Sequence, residues 1–168
     1  EILLKKGTSC EYWLPDSLEP KTILDIGSNI GITSILFAKK FPLSTIHSFE
    51  PLKVNFEIMY KNVSTYSNIH THPYGLGDKN DRLTMYKSND PENFAAWSLY
   101  SELKNIDKLN STVIEIREAK SEINSIGIKG FDLIKIDTEG AEYSIIKSMG
   151  SSFLKKTQLI VGELHGNY

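Results

Sequence analysis

The residues of this chain best suited to chemistry are a glycine turn at residues 27–31, with the sequence GSNIG, and an acid, Glu50, that ends the next apolar segment. Glycines allow a backbone to close around a small ligand. An acid at the end of the second strand of such a unit holds the two hydroxyls of a ribose. Because Asp25 and Glu50 are separated by about one strand–helix–strand unit, the pair predicts a site for a nucleoside cofactor.

The turn lacks features that a diphosphate requires. A G-x-G-x-x-G fingerprint needs glycine at its third and sixth positions, where this chain has Asn29 and Ile32. The Gly-Lys-Ser/Thr of a P-loop is also missing. A free carboxylate at a helix N-terminus fits such a turn better. S-adenosylmethionine carries a carboxylate and a ribose but no phosphate, so it is the predicted cofactor. The simpler alternatives are two structural glycines and, for Glu50, a carboxylate that stabilises a helix N-terminus.

Short apolar segments typical of strands alternate with segments of helical periodicity, and these elements must position the residues named above. The predicted parallel strands are residues 22–27, 44–50, 69–74, 131–137 and 158–164. The predicted helices are residues 31–41, 51–63, 119–126 and 141–149. In the second helix, Val54, Ile58 and Met59 are expected to face inward. The alternation indicates an α/β fold with a mainly parallel sheet. Around Leu83 and Val113, polar and apolar residues alternate, which predicts two further, half-exposed strands.

The length of 168 residues predicts a single domain. Residues 1–21 form an N-terminal lead-in. Residues 88–110 are polar with an aromatic cluster, and loops of this length are either substrate or lid elements or ordinary surface excursions. Because Glu1 rather than Met opens the chain, we expect a piece of a longer protein.

Composition restricts the partners and the compartment. A net charge of −2 argues against a nucleic-acid surface. We find neither a membrane-spanning stretch nor a secretory signal. The single cysteine, Cys10, rules out an internal disulfide and fits a reducing compartment, so a cytoplasmic location is expected.

Several ordered segments resemble the FkbM family of S-adenosylmethionine-dependent methyltransferases. The first is ILDIGSNIG at residues 23–31, and the next are Phe49-Glu50-Pro51 with Asn55 and Asn62, and Gly77-Asp78. The most specific is LIKIDTEGAE at residues 133–142, followed by Glu163-Leu164-His165. The similarity extends over nearly all of the chain from Thr22 onward.

The resemblance implies a Rossmann-like class I methyltransferase fold, with a mainly parallel central sheet in the order 3-2-1-4-5 flanked by helices. It also implies O-methylation of a hydroxyl on a small molecule, a sugar or another glycan. This chain ends just after the fifth strand, where the wider fold adds an antiparallel pair. We therefore expect the extra strands near Leu83 and Val113 to supply a sheet edge.

Ligands of open α/β sheets bind beyond the carboxyl ends of the strands, where the strand order reverses. On that basis we assign roles as hypotheses. The residues expected to bind the cofactor are Asp25, Gly27, Ser28, Asn29, Gly31, Glu50, Pro51, Asn55, Gly77 and Asp78. Asp25 would shape the turn and face the cofactor's ammonium, N–H groups near Ser28 would hold its carboxylate, and Asp78 would accept from the adenine amino group.

A hydroxyl acceptor must lose its proton, so a general base is needed. The candidates are Asp137, Glu139 and His165, and His165 is also explained as a polar residue at a strand end. Two acids one residue apart are too little to predict a metal site.

Lys135 lies on a central strand, where an unpaired ammonium is costly. We predict that it pairs with Asp25 or Glu163 on a neighbouring strand. His70 and His72 are interpreted as edge-strand residues, and His47 is given no role.

Two other functions remain open at this point. A nicotinamide-linked oxidoreductase fits the acid after the second strand but not the missing middle glycine. A non-catalytic module that binds the same cofactor fits every motif. The oligomeric state and the acceptor are not predicted.

Overall fold

The computed structural model describes residues 14–89, 97–98 and 106–164. The elements in the first half of the chain are β1 (Thr22–Ile26), α1 (Ile32–Lys40), β2 (Thr45–Phe49), α2 (Lys53–Val63), β3 (Ile69–His72) and β4 (Gly75–Gly77). The later elements are β5 (Asp81–Ser88), β6 (Trp97–Ser98), β7 (Ile106–Glu118), α3 (Ala119–Ser125), β8 (Leu133–Ile136), α4 (Glu142–Met149), α5 (Ser151–Leu154) and β9 (Leu159–Gly162).

Five strands form a parallel sheet in the order β3-β2-β1-β8-β9. With β8 and β9 as the fourth and fifth parallel strands, this is the predicted order 3-2-1-4-5. Strands that are buried on both faces are rich in Ile, Leu and Val. All four residues of β8 are buried, and in β1 only Thr22 is partly exposed.

The orientation of α2 differs from the prediction. Met59 is fully buried as expected, but Val54 and Ile58 are 53% and 46% exposed, so their predicted inward orientation is wrong. Contact with the start of α1 sets the rotation of α2. A Cβ at Gly31 would lie 2.9 Å from Met59 Cγ and 3.1 Å from Val63 Cγ1, so this pair of α2 residues must face α1.

The predicted extra strands are present. Antiparallel pairing joins β5 to β7, with Leu83 opposite Ile114 and Thr84 opposite Val113. They do not extend the edge of the parallel sheet. Instead they form a second sheet in the order β4-β7-β5-β6, because Gly75–Gly77 leaves the first sheet after β3 and pairs with β7.

The segment predicted as a loop, residues 88–110, is partly strand. Ser88 ends β5, Trp97–Ser98 forms β6, and β7 begins at Ile106. The polar residues at the start of β7 hid this strand, since residues that pair on an exposed hairpin need not alternate. Residues 90–96 and 99–105 lie outside the described part of the chain, and the lid role stays a prediction.

A chain of polar contacts runs beneath β2 and β3. His47 Nδ1 lies 3.0 Å from His72 Nε2, and His72 Nδ1 lies 3.0 Å from the Tyr74 hydroxyl, which donates to Glu122. The Arg117 guanidinium lies 3.6 Å from the centroid of the Tyr74 ring. Burial is the main cause that lowers the pKa of both His47 and His72 to about 4, so these imidazoles are neutral at physiological pH. The network is therefore interpreted as structural.

Within the described ranges, the structure has no helix that combines the length and the apolar character needed to span a bilayer.

Candidate cofactor and active site

A cavity of about 1120 Å³ opens at the carboxyl ends of β1, β2 and β8. It brings together most of the predicted site residues: Gly27, Ser28, Asn29, Glu50, Pro51, Asn55, Gly77, Asp78, Asp137 and Glu139. Two predicted cofactor residues, Asp25 and Gly31, do not line it. His165 lies outside the described residues, as does Cys10.

Glu50 is a buried and tightly held acid in the cavity wall. It directly follows β2 and is only 5% exposed. Its Oε2 accepts from the backbone N–H of Asn29 at 2.8 Å, and its Oε1 accepts from that of Leu52 at 2.9 Å. Burial raises the pKa of this carboxyl to about 7, against the opposing effects of the two N–H donors and of the Lys135 ammonium. The carboxylate therefore has a fixed orientation, with further lone pairs for a ligand.

The turn after β1 uses most of its N–H groups within the protein. Those of Gly27 and Ser28 donate to Phe49 O, that of Asn29 donates to Glu50, and that of Gly31 donates to Ser28 O. The first turn of α1 has neither a side-chain cap nor an acidic residue. Because the first N–H groups of a helix have no partner within it, the start of α1 is a better binding site for a carboxylate than the turn itself.

The two glycines of the turn are required by packing as well as by backbone angle. Gly27 has φ 76°, and a Cβ there would overlap the carbonyl oxygen of Asp137. Gly31 has φ 86° and lies against α2. Asn29 also has a positive φ, 50°, which asparagine tolerates better than most residues. The turn is thus held between β8 and α2. Asn62 supports it further by donating to Ile30 O at 2.8 Å.

The predicted pairing of Lys135 is confirmed, with Asp25 as the partner. Lys135 Nζ lies 3.3 Å from Asp25 Oδ1, and both side chains are almost fully buried. The ammonium also donates to Gly27 O at 2.6 Å. On its other side, Asp25 Oδ2 accepts from Ser34 Oγ, which also contacts Ser48 Oγ. Asp25 and Lys135 therefore fix the end of β1 beneath the turn.

A second buried acid, Glu142, organises the turn after β8. Its Oε1 accepts from Thr138 N at 2.9 Å, from Thr138 Oγ1 at 3.1 Å and from Gly140 N at 3.1 Å. Between these donors, Glu139 has φ 58°, an uncommon angle for a residue that is not glycine. Such strain persists only where the surroundings enforce it. Glu142 therefore fixes the turn that carries Asp137 and Glu139.

The prediction had given Glu142 no role of its own. The available signal was an acid in the first turn of a helix, just after a Thr-x-Gly turn. Ser34 was also missed, since a serine within an apolar helix carries no pattern that identifies a buried partner.

Among the described residues, no group of three or more His, Cys, Asp or Glu side chains is arranged to hold a metal ion.

The parallel sheet in the order 3-2-1-4-5, with a glycine turn after its first strand and an acid after its second, defines a Rossmann-like α/β domain. More narrowly, the chain belongs to the FkbM methyltransferase family. The model of the methyltransferase FkbM domain matches residues 25–168.

The chain is similar to several known proteins. It is 27% identical over 162 residues to Methyltransferase 1 of Beauveria bassiana, a match that covers 84% of this chain and 64% of that protein. It is 25% identical over 151 residues to the 2-O-methyltransferase NoeI of Sinorhizobium fredii, with 84% and 62% covered. The chain thus spans less than two thirds of the length of these relatives. Among solved structures, methyltransferase FkbM from Methylobacillus flagellatus is 20% identical, with a TM-score of 0.47 over 76% of this chain and 28% of that one.

Proposed function

We propose that the protein is an S-adenosylmethionine-dependent O-methyltransferase that acts on a hydroxyl of a small molecule, a sugar or another glycan. The observation that carries the proposal is the buried Glu50 carboxylate, held beside the glycine turn with lone pairs left for the two hydroxyls of a ribose. The family supports methyl transfer, and one relative is a 2-O-methyltransferase by name.

The residues in the cavity wall fit this cofactor. The start of α1 would take its carboxylate, Glu50 its ribose and Asp78 its adenine amino group, and nothing in this turn favours a diphosphate. When bound, the cofactor supplies an activated methyl group. The protein then has to hold the acceptor hydroxyl at near-attack distance, which contributes on the order of 7–11 kcal/mol at best, and has to remove its proton.

We expect the affinity for S-adenosylhomocysteine to rise about tenfold between pH 6 and pH 8, because a carboxyl with a pKa of about 7 is mostly protonated at pH 6. Only the ionised form accepts from both ribose hydroxyls. Glu50→Gln is expected to weaken binding roughly 10–100-fold and to remove the pH dependence, since it loses charge-assisted hydrogen bonds. Isothermal titration calorimetry at pH 6, 7 and 8 measures both effects.

Glu57→Gln is the matched control, because Glu57 lies on the exposed side of α2 and forms an exposed ion pair with Lys53. It should leave affinity and pH dependence unchanged. Equal affinity of wild-type protein and Glu50→Gln at pH 8 would rule out the ribose role. A calorimetric readout is preferable to thermal stability. A raised carboxyl pKa lowers stability as pH rises from about 4.5 to 7, in the opposite direction to binding.

We assign the general base to Asp137. This residue directly follows β8 and is half-buried, and its carbonyl touches the turn at Gly27. Asp137→Asn should lower the rate of methyl transfer roughly 10²–10⁴-fold, the usual contribution of a general base, while changing the affinity for S-adenosylhomocysteine less than about threefold. The assay is transfer of a labelled methyl group from S-adenosylmethionine to a panel of sugars, phenols and alkyl glycosides.

The matched comparison is Glu139→Gln, which removes the same charge two residues further along the same turn. A larger loss in Glu139→Gln would move the assignment to Glu139. Full activity in both variants, together with loss of activity in His165→Asn, would move it to His165.

Direct titration separates the alternatives. Uptake of NAD without uptake of S-adenosylmethionine would favour an oxidoreductase. Binding of S-adenosylmethionine without transfer to any acceptor would favour a non-catalytic module. We further propose that residues 1–168 form one domain and, from the single cysteine, that it works in the cytoplasm.

A further inference from the structure

The cavity is slightly larger than a usual ligand pocket. Ligand pockets usually enclose about 300–1,000 Å³, and this one encloses about 1120 Å³. The residues assigned to the cofactor lie along the carboxyl ends of the parallel strands and at the end of β4. Besides residues of α1 and of the segment after β8, a further wall of the cavity comes from the second sheet. We propose, on the basis of the function proposed above, that this wall binds the acceptor and that the acceptor carries an apolar body, such as an alkyl chain or a hydrophobic ring, next to its hydroxyl.

Alternation along the β5–β7 hairpin creates the wall. On β5, Leu83 and Met85 are partly or fully buried, whereas Arg82 and Thr84 between them are exposed. Ile114 lies directly opposite Leu83. Residues opposite each other in an antiparallel pair share a face, so these side chains form one continuous apolar surface.

Trp97 extends this surface, because it packs against Leu52, Met85 and Ile114 and lines the same cavity. We call the set the apolar wall. Its members are Leu52, Leu83, Met85, Trp97, Ile114 and Ile116.

The apolar wall has a buried base and an accessible layer. Leu52, Met85 and Ile114 are buried against one another, at 5%, 9% and 4% exposure. Leu83, Trp97 and Ile116 pack on this base and remain half-buried. Since Leu52 follows Glu50 by two residues, the wall stands beside the end of the cavity assigned to the ribose.

On the hairpin side of the cavity, the charged lining residues among those described are Lys79 and Asp81, next to the base of the hairpin. Lys79 Nζ lies 3.2 Å from Asp81 Oδ2, so these two cavity residues form an ion pair with each other. The six side chains of the apolar wall carry no charge. A polar acceptor buried against them would lose hydrogen bonds to water without replacing them, which is unfavourable. An apolar body would gain from the same burial.

The adenine ring of the cofactor is the competing occupant of the apolar wall, and its expected position can be distinguished from that of the acceptor. Ile116 lies against Gly75 and Gly77, where added Cβ atoms would meet it at 2.7 and 2.5 Å. It therefore belongs to the end next to Asp78. Leu83 and Met85 lie two and four residues along β5 from Asp81, the partner of Ile116, which is roughly 7 and 13 Å further along the strand. These two residues are the ones to test.

The test uses methyl, butyl and hexyl β-D-glucosides, which share their hydroxyls and differ only in alkyl length. Each is titrated below its micellar concentration into protein saturated with S-adenosylhomocysteine. Fluorescence provides the readout in a Trp13→Phe background, which leaves Trp97 as the remaining tryptophan of the two in the chain. We expect affinity to rise roughly three- to fourfold for each methylene that is buried, hence about tenfold from butyl to hexyl. Leu83→Ser should reduce this increment to less than about twofold per methylene.

Thr84→Ser is the matched control, since Thr84 lies on the exposed face of the same strand. Thr84→Ser should leave the gain in affinity per methylene unchanged. Equal affinities for the three glucosides in wild-type protein, or failure of hexyl glucoside to bind, would overturn the proposal without reference to any variant. The proposal would also be overturned if Leu83→Ser weakened the binding of S-adenosylhomocysteine by as much as it weakens the binding of hexyl glucoside, because the wall would then hold adenine. If S-adenosylhomocysteine itself does not bind, the proposed function fails, and the same series in cofactor-free protein still decides whether the wall binds alkyl groups.

Discussion

Gly27→Ala is expected to destabilise the protein by about 3–5 kcal/mol and to abolish measurable uptake of S-adenosylhomocysteine. The added methyl group would overlap the carbonyl oxygen of Asp137, a residue whose backbone N–H is bonded to Ile26 O of β1, so the turn or the end of β8 must move. The positive φ of 76° adds strain to this overlap. Chemical denaturation measures the loss of stability, and calorimetry measures the loss of binding.

Gly127→Ala separates the two contributions. Gly127 has nearly the same φ, 78°, but a Cβ there would meet no atom within 4 Å in the described part of the chain. Its substitution should therefore cost only the backbone strain, about 1–2 kcal/mol, and leave binding intact. If the two variants lose the same stability and bind alike, the contact between the turn and β8 has no special role.

Lys135→Met is expected to cost about 3–5 kcal/mol of stability and to weaken cofactor binding, because it leaves the buried Asp25 carboxylate without its compensating charge. Asp25 Oδ1 accepts no hydrogen bond from any described residue, so the ammonium at 3.3 Å is what offsets its charge. The variant also loses the hydrogen bond to Gly27 O, which connects the pair to the turn. Denaturant unfolding and titration with S-adenosylhomocysteine measure the two losses.

The double variant Asp25→Asn/Lys135→Met tests whether the ion pair is the cause. Removing both charges should recover at least half of the stability that Lys135→Met loses. Lys147→Met, at an exposed position on α4, controls for the loss of a lysine in general and should stay within about 0.5 kcal/mol of wild type. Unchanged affinity and stability in Lys135→Met would reject the pairing.

The parallel sheet was predictable because its strands carry their pattern locally. Residues 22–27 and 131–137 are apolar and bounded by turn residues, and the order of the strands followed from the family resemblance. The rotation of α2 was not predictable. Val54 and Ile58 are as apolar as Met59, and only the close approach of Gly31 to Met59 decides which of them is buried. The length of β7 could not be predicted for a related reason, because its pairing with β5 depends on a segment that is distant in the sequence.

The clustering of several candidate residues around one cavity was predictable. Glu50, Asp78 and Asp137 all line one cavity, as their positions after strands indicated. The hydrogen bonds of these side chains could not be predicted from the sequence. Whether a carboxylate oxygen is already occupied by Asn29 or Leu52 depends on backbone directions that exist only in the folded chain. Asp25 illustrates the same limit, since its burial beneath the turn reflects contacts with Ser34 and Lys135 rather than its own sequence context.

The division of the domain into two sheets bears on how such proteins diversify. The residues proposed to bind the cofactor belong to the parallel sheet, to the turns at its ends and to the end of β4, whereas the hairpin of β5 and β7 extends from Asp81 to Glu118. Exchange of residues 81–118 between relatives would replace one wall of the cavity as a single unit. Descendants of a common ancestor could in this way acquire new acceptors while inheriting the same methyl donor unchanged.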